Sequence, residues 1–201
     1  MLYPYNTANP NNKKPKICQY VIFLPKSKKL CHNHLMSNYK RLFLDGHSYF
    51  ITIVTHRREP ILIDHIDLLR KSFALSKKRY GYKIEAVIVL PDHIHMIITP
   101  QKADKYPKII SHIKRSFVYR LTVGRGTLTP TSESITKRKQ QLSSSQYKRQ
   151  HSGIWQQRFY EHTIRDEKDW SEKMVYIQHN AVKHGLVDDW TLWEYSLFFE
   201  S

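Results

Sequence analysis

Two apolar runs near the middle of the chain constrain its fold most strongly. Residues 84–90 and 94–99 consist mainly of Ile, Val, Leu and Met, and only Pro91, Asp92 and His93 separate them. Short apolar runs joined by a Pro-Asp turn signal are typical of a β-hairpin. The pattern therefore predicts two adjacent antiparallel strands.

The elements around this hairpin predict a fold class. Residues 49–55 are β-branched and aromatic and predict an earlier strand. Apolar residues at helical spacing predict one helix from near Asp64 to just before Gly81 and a second over residues 106–122. Strand, helix, strand, strand, helix is a split α/β order. We expect an α/β (α+β) domain with a ferredoxin-like or RRM-like antiparallel sheet and helices on one face.

A third amphipathic helix is predicted over residues 166–184. Asp166 is a suitable N-cap, and Gly185 follows two basic residues at the C-terminal end. Its expected buried stripe comprises Trp170, Met174, Ile177 and Ala181. This helix would complete the domain at its C-terminal side.

Composition divides the chain into regions. Residues 1–35 contain six lysines and no acidic residue, which is typical of a disordered basic leader. Residues 36–201 are expected to form a single domain, and Met36 is our hypothesis for the natural start. Within it, residues 124–150 are rich in Ser, Thr, Lys, Arg and Gln and predict a flexible basic loop.

The charge balance points to a class of partner. The formal net charge is +16, from 33 Lys and Arg against 17 Asp and Glu, which favours a polyanion such as nucleic acid. No stretch approaches the roughly 18 to 20 consecutive apolar residues of a membrane span. We therefore expect a cytoplasmic protein without membrane insertion. Its two cysteines are too few for a disulfide framework or a four-cysteine zinc site.

Two histidines in the second hairpin strand are candidate metal ligands. Because side chains alternate along a strand, His93 and His95 should point to one face and Ile94 to the other. A chain with 12 histidines can place two at this spacing by chance. The apolar surroundings favour the metal site, since paired imidazoliums would be unfavourable there unless a ligand kept them neutral.

The third helix offers a second group of polar residues. Tyr176 and Asn180 are one turn apart, so a hydroxyl and an amide oxygen can approach the same point. Lys173 and Lys183 lie on the same flank. The alternative is a tyrosine at the edge of the core with solvated Asn and Lys, and spacing alone does not decide between the two.

Taken together, these blocks resemble a known family. Residues 91–95, Pro-Asp-His-Ile-His, resemble the histidine, hydrophobic, histidine (HUH) motif of single-tyrosine transposases. Residues 155–162, 164–167 and 176–187 resemble REP-associated tyrosine transposases, which act on repetitive extragenic palindromes. The resemblance covers about residues 36–200. The chain departs from the family at Ala181, where proline is common, and at His47, where a second glycine is common.

The resemblance implies a chemistry and a partner. Tyr176 would attack single-stranded DNA and form a covalent 5′-phosphotyrosine intermediate. His93 and His95 would hold Mg²⁺ or Mn²⁺, with Asn180 as the third ligand and His179 as its rival. The partner would be a single-stranded DNA hairpin of palindromic repeats, bound by a monomer rather than a dimer. The residues expected to bind DNA are Lys114, Arg115, Arg120, Arg158, Arg165, Lys173 and Lys183.

Two other functions remain open from the residues alone. A noncatalytic RRM-like nucleic-acid-binding module would share the basic split α/β fold but would need no tyrosine nucleophile. A His-ligated metallohydrolase would use water in place of Tyr176. The strands lack the usual aromatic and glycine signature of RRM modules, which argues against the first of these.

Overall fold

The structure is a computed structural model that describes residues 41–123 and 153–198. The predicted leader at 1–35, the proposed start at Met36 and the predicted loop at 124–150 lie outside the described residues. These three interpretations remain predictions.

The described residues form a five-stranded antiparallel sheet in the order β4-β1-β3-β2-β5. The strands are β1 (Tyr49–Val54), β2 (Tyr82–Val89), β3 (His93–Pro100), β4 (Tyr160–Thr163) and β5 (Ser196–Phe198). The predicted hairpin is confirmed as β2 and β3, and β3 is the central strand. The α/β class is confirmed as well.

Two long helices cover one face of the sheet. They are α1 (Ile66–Tyr80) and α2 (Tyr106–Val123), and they pack against each other. Alternate β3 residues, Ile94, Met96 and Ile98, are completely buried in the core cluster that these helices close. The predicted placement of helices on one face therefore holds for this pair. Short 3₁₀ turns occur at His56–Arg58, Ala103–Lys105 and Trp190–Leu192.

The third predicted helix packs on the opposite face and is divided in two. α3 (Glu167–Gln178) and α4 (Asn180–Lys183) are separated by His179, whose backbone lies at φ −89° and ψ 6°. The backbone amide of His179 still donates to the Val175 carbonyl, so the interruption is confined to one residue. No residue type in the sequence signals it. The predicted cap is confirmed, since the Asp166 carboxylate accepts from the Asp169 amide at 2.8 Å.

Two edge strands escaped the sequence analysis. β4 pairs with β1, and β5 pairs with β2. They are four and three residues long, and their partners are distant in sequence, so no local alternation marks them as strands. Near β5, the indole N–H of Trp193 donates to the Val89 carbonyl at 2.9 Å and helps hold the C-terminal segment on the sheet.

Among residues 41–123 and 153–198, no helix has the length and apolar character that crossing a bilayer demands.

Candidate active site

The paired histidines lie on the sheet face that α3 covers. His93 and His95 point towards α3, whereas Ile94 between them belongs to the core under α1 and α2. Both histidines are only 4% exposed, and their ring centroids are 4.8 Å apart. The predicted common face of the two imidazoles is therefore confirmed.

Each imidazole is held through its Nδ1 atom. Thr52 lies directly opposite His95 across the β1–β3 pair, and its Oγ1 is 2.8 Å from His95 Nδ1. His93 Nδ1 lies 2.5 Å from Asp92 Oδ1. The Nε2 atom of His95 is buried without a hydrogen-bond partner. Histidines with Nδ1 bonded and Nε2 available are typical of metal sites, so this pair fits a divalent cation.

Electrostatics favour the neutral, metal-binding form of His95. Burial, reinforced by the positive charges of His93, His184 and Lys183, lowers the pKa of His95 to about 3. The imidazole is therefore uncharged near neutral pH. Burial opposes ionisation of Asp92, but its hydrogen bond to His93 and the charges of His93 and Arg58 outweigh this effect and lower the pKa of the carboxyl.

Asp92 connects the histidine pair to the end of β1. Its Oδ2 accepts from Arg58 Nη1 at 3.1 Å, and its main-chain carbonyl accepts from the amide and hydroxyl of Thr55, each at 2.9 Å. Arg58 has φ +54°, a left-handed conformation that is uncommon for residues other than glycine. A strained backbone therefore brings a guanidinium to the carboxylate that holds His93.

Helix α3 places Tyr176 beside the histidines. Its ring centroid is 5.1 Å from that of His95 and 5.8 Å from that of Phe50, with an edge-on geometry in both pairs. The residue is 38% exposed, and Lys183 Nζ lies 5.1 Å from the ring centre. A phenol, two imidazoles and an ammonium group therefore share one site.

These groups line a cavity of about 530 Å³. Its lining residues are Phe50, Thr52, Arg58, His93, His95, Tyr160, Lys173, Tyr176, Lys183 and His184. The cavity is open to solvent on one side. It combines aromatic, cationic and imidazole groups, a set suited to a phosphodiester with an attached base.

The two predicted candidates for a third metal ligand have different surroundings. Asn180 is completely buried, both polar atoms of its amide have no hydrogen-bond partner, and it does not line the cavity. His179 is exposed, and its ring faces Trp190 at 6.3 Å. Within the described ranges, no group of three or more His, Cys, Asp or Glu residues is arranged to hold an ion. An amide ligand is compatible with that finding.

A third histidine enters the site from the end of α4. The ring centroid of His184 lies 5.1 Å from that of His93, and His184 lines the cavity. Burial and the charge of His93 lower the pKa of His184, while Asp92 opposes the shift. In the sequence, the four-residue spacing of Tyr176, Asn180 and His184 was the one signal that His184 could lie on the same side of the helix as Tyr176.

Only two of the seven predicted DNA-binding cations reach the cavity. Lys173 and Lys183 line it. Arg158 and Arg165 are exposed on either side of β4, outside the cavity lining.

The three predicted cations of α2 lie on the other side of the sheet from Tyr176. Lys114 Nζ donates to the carbonyls of Gln156 and Gln157 at 2.6 and 3.2 Å, and burial lowers its pKa to about 8. Lys114 therefore has a clear structural contact. Arg115 and Arg120 belong to the same helix, away from the cavity.

Several cavity residues were absent from the predicted site. Thr52 could have been found from the strand register, because it is a polar residue opposite His95. Phe50 has the pattern of an ordinary strand aromatic in the sequence, Tyr160 lies in an edge strand that no local alternation marks, and Arg58 ends a 3₁₀ turn that no motif predicts. Only the tertiary structure assigns these three residues to the site.

Known proteins resemble this chain in both sequence and structure. No family model matches the chain. A Haemophilus influenzae relative described as a REP-associated tyrosine transposase is 37% identical over 165 residues, covering 81% of this chain and 86% of the relative. A REP-associated tyrosine transposase of Escherichia coli is 30% identical over 81% of this chain and 83% of its own length.

A solved structure supports the same relationship. It is a REP-associated tyrosine transposase bound to a REP hairpin, with 29% sequence identity and a TM-score of 0.61, covering 80% of this chain and 82% of that one. The resemblance read from the sequence motifs is thus confirmed. The chain belongs to the REP-associated tyrosine transposases, enzymes that cleave and transfer DNA.

Proposed function

We propose that this transposase cleaves and rejoins single-stranded DNA at palindromic hairpins through a covalent intermediate on Tyr176. The observation that carries the proposal is the position of the Tyr176 ring, 5.1 Å from the ring of His95 in a cationic cavity. The related structure with a bound REP hairpin supports a hairpin of this type as the DNA partner.

The cleavage step conserves the phosphodiester. The phenolic oxygen of Tyr176 attacks phosphorus, an oxygen–phosphorus bond forms, and the bond from phosphorus to the 3′ oxygen breaks. The phenol loses its proton, and the departing 3′ oxygen gains one. The DNA is left with a 5′-phosphotyrosine and a free 3′-hydroxyl. Attack by another 3′-hydroxyl reverses these bond changes and joins the strands.

His93 and His95 are the residues that would hold a divalent cation, Mg²⁺ or Mn²⁺, through their Nε2 atoms. When bound, the cation would neutralise charge on the phosphate. Asn180 is our proposed third ligand, because a buried amide with two unpartnered polar atoms is costly unless another group satisfies it. A metal-binding measurement on Asn180→Ala tests this assignment separately from activity.

Other side chains orient these groups and bind the substrate. Asp92 and Thr52 hold the imidazoles through Nδ1, so that both Nε2 atoms remain available. Lys173 and Lys183 provide positive charge beside Tyr176 for the DNA phosphate. The same proposal includes binding of the DNA backbone by the other five predicted cations, which are Lys114, Arg115, Arg120, Arg158 and Arg165.

We propose that the protein acts as a monomer. Tyr176, His93 and His95 all line one cavity within a single chain, so the described residues bring the nucleophile and the imidazoles together without a partner. Light scattering after size exclusion, with and without the hairpin, measures the mass directly. A dimer in both conditions would contradict this part.

The cleavage proposal is tested with a labelled single-stranded DNA hairpin and Mg²⁺ or Mn²⁺ on a denaturing gel. We expect a covalent protein–DNA adduct that Tyr176→Phe abolishes. Tyr119→Phe is the matched control, because Tyr119 is an exposed tyrosine on α2, on the other face of the sheet. It should form the adduct as the unmodified protein does.

Each other result selects a different function. Cleavage that persists in Tyr176→Phe would favour the metallohydrolase. Tight hairpin binding with neither cleavage nor adduct in either metal would favour the noncatalytic module.

A further inference from the structure

The cavity is lined by two chemically different sets of groups. Phe50, Tyr160 and Tyr176 provide aromatic rings, and Arg58, Lys173 and Lys183 provide positive charge. A nucleotide has the same division, with an aromatic base and an anionic phosphate. The charged groups account for the phosphate, whereas nothing assigned so far accounts for the base.

Tyr160 occupies a defined place relative to the histidine pair. Across the sheet, Tyr160 of β4 is directly opposite Thr52 of β1, which is directly opposite His95 of β3. Directly opposed residues in antiparallel strands share a face. Adjacent strands are about 4.8 Å apart, so the row places the Tyr160 backbone roughly 10 Å from that of His95. Its side chain therefore projects from the same sheet face as that of His95, and it lines the same cavity as Tyr176.

The Tyr160 ring contacts the ring of Phe50 and is otherwise largely exposed to solvent. It is 58% exposed, and its ring meets that of Phe50 edge-on at 6.3 Å. Phe50 is itself buried and also contacts the ring of Tyr176. An aromatic ring that contacts a buried ring edge-on and is otherwise largely exposed at a cavity is suited to stacking with an unpaired base.

We propose that Tyr160 is the stacking platform for an unpaired DNA base adjoining the scissile phosphate. The inference rests on the proposed cleavage of single-stranded DNA at Tyr176 and adds the position at which the flanking base is held. Stacking tolerates any base, because every base has a π-face. Tyr160 would thus position the strand rather than read its sequence.

The test measures hairpin affinity by fluorescence anisotropy in a Tyr176→Phe background, where no covalent adduct should form. The probe is a palindromic DNA hairpin with short single-stranded flanks, and the reference is its stem without flanks. Tyr160→Leu should weaken binding of the flanked hairpin by about 5- to 150-fold and leave binding of the stem unchanged. Tyr160→Phe, which keeps the ring, should bind both as the parent does.

An abasic scan of the flanks identifies the stacked base. With Tyr160 present, removing one particular base should cost as much affinity as Tyr160→Leu does. In the Tyr160→Leu variant, removing the same base should cost nothing more, which is the non-additivity expected of two groups in contact. Tyr119→Leu, a matched loss of an exposed tyrosine from α2, should leave the scan unchanged.

Other outcomes overturn the inference. If the loss of affinity from Tyr160→Leu and the loss from removing a base are additive at every position, Tyr160 stacks on no base. An equal loss of affinity for the flanked hairpin and the bare stem would show that the change acts on general DNA binding or on the fold. The result is also separable from the cleavage proposal. If an adduct forms at Tyr176 but the Tyr160 and abasic effects are additive, only the stacking role of Tyr160 is contradicted. If those effects are non-additive but no adduct forms, only the cleavage mechanism is contradicted.

Discussion

The two faces of the central strand β3 differ sharply in what their side chains do. Ile94, Met96 and Ile98 face α1 and α2 and are completely buried in apolar surroundings. His93 and His95, on the opposite face, are also buried but border an open cavity with polar and cationic groups. Residues that are neighbours in sequence thus belong to a sealed core and to the proposed active site.

The difference shows how one strand can carry stability and chemistry at the same time. Alternation assigns successive side chains to opposite faces, so the core can fix the strand's position without contacting the proposed metal ligands. Stability and cleavage should therefore respond to different substitutions at adjacent positions.

The largest effect is expected at His95. His95→Ala removes one of the two proposed imidazole ligands, and we expect adduct formation to slow by at least about a thousandfold, equivalent to several kcal/mol of transition-state stabilisation. The midpoint of urea unfolding should change less in His95→Ala than in a variant with a substitution on the core face. His47→Ala, at a histidine outside the cavity, is the control. An unchanged adduct rate in His95→Ala would remove the histidine pair from the mechanism.

The next effect falls on the core face. Ile94→Ala leaves a cavity between β3 and the helices and should lower the free energy of unfolding by about 2 to 5 kcal/mol. Urea unfolding followed by circular dichroism measures the loss. Under conditions where the variant is folded, its adduct rate should match that of the unmodified protein. A rate that falls as far as in His95→Ala would show that the two faces are not separable.

A pH experiment sharpens the contrast at alkaline pH. Burial raises the pKa of Tyr82, in the core under α1, to about 12 from an ordinary value of 10.0. The unfolded chain therefore loses this proton at lower pH than the folded one, and stability should fall as pH rises from 10 towards 12. The contribution is about 2 to 3 kcal/mol. Tyr82→Phe should lack this part of the decline in urea unfolding across that range, whereas Tyr119→Phe should keep it.

A smaller effect is expected at Asp92, which contacts the Nδ1 atom of the proposed metal ligand His93. Asp92→Asn keeps the size of the side chain but removes the charge that holds His93 Nδ1 and pairs with Arg58. We expect Mn²⁺ affinity, measured by isothermal titration calorimetry, to weaken by about 10- to 100-fold. Asp104→Asn, at an exposed acid on a 3₁₀ turn, is the matched control. Equal affinities for all three proteins would mean that Asp92 does not support a metal site.

Local sequence patterns predicted the main elements of the fold. The three long strands and the first two helices have periodic apolar residues over most of their length, which is the signal that burial on one face produces. β4 and β5 could not be predicted, because short edge strands are defined by hydrogen bonds to distant partners. The break at His179 has no cause in residue type.

The candidate site was predicted less completely. Alternation correctly placed His93 and His95 on one face, and the family resemblance singled out Tyr176. Helical spacing suggested that Asn180 approaches the same point as Tyr176, and this remains a prediction; the structure buries Asn180 with both amide atoms unpartnered and adds His184 to the cavity lining. A projection of one ideal helix does not include the turn at His179 or the packing of the helix on the sheet.

The amino-acid sequence by itself determined the three long strands and the helices, the apolar face of each, and which residues match the tyrosine transposases. These properties depend on neighbours within a few positions along the chain. Only the tertiary structure decided that Arg58 and Tyr160 join the histidines, since the turn after β1 and the pairing of β4 with β1 bring together residues that are distant in sequence. Proximity of that kind is a result of the whole fold, because it depends on how every intervening element packs.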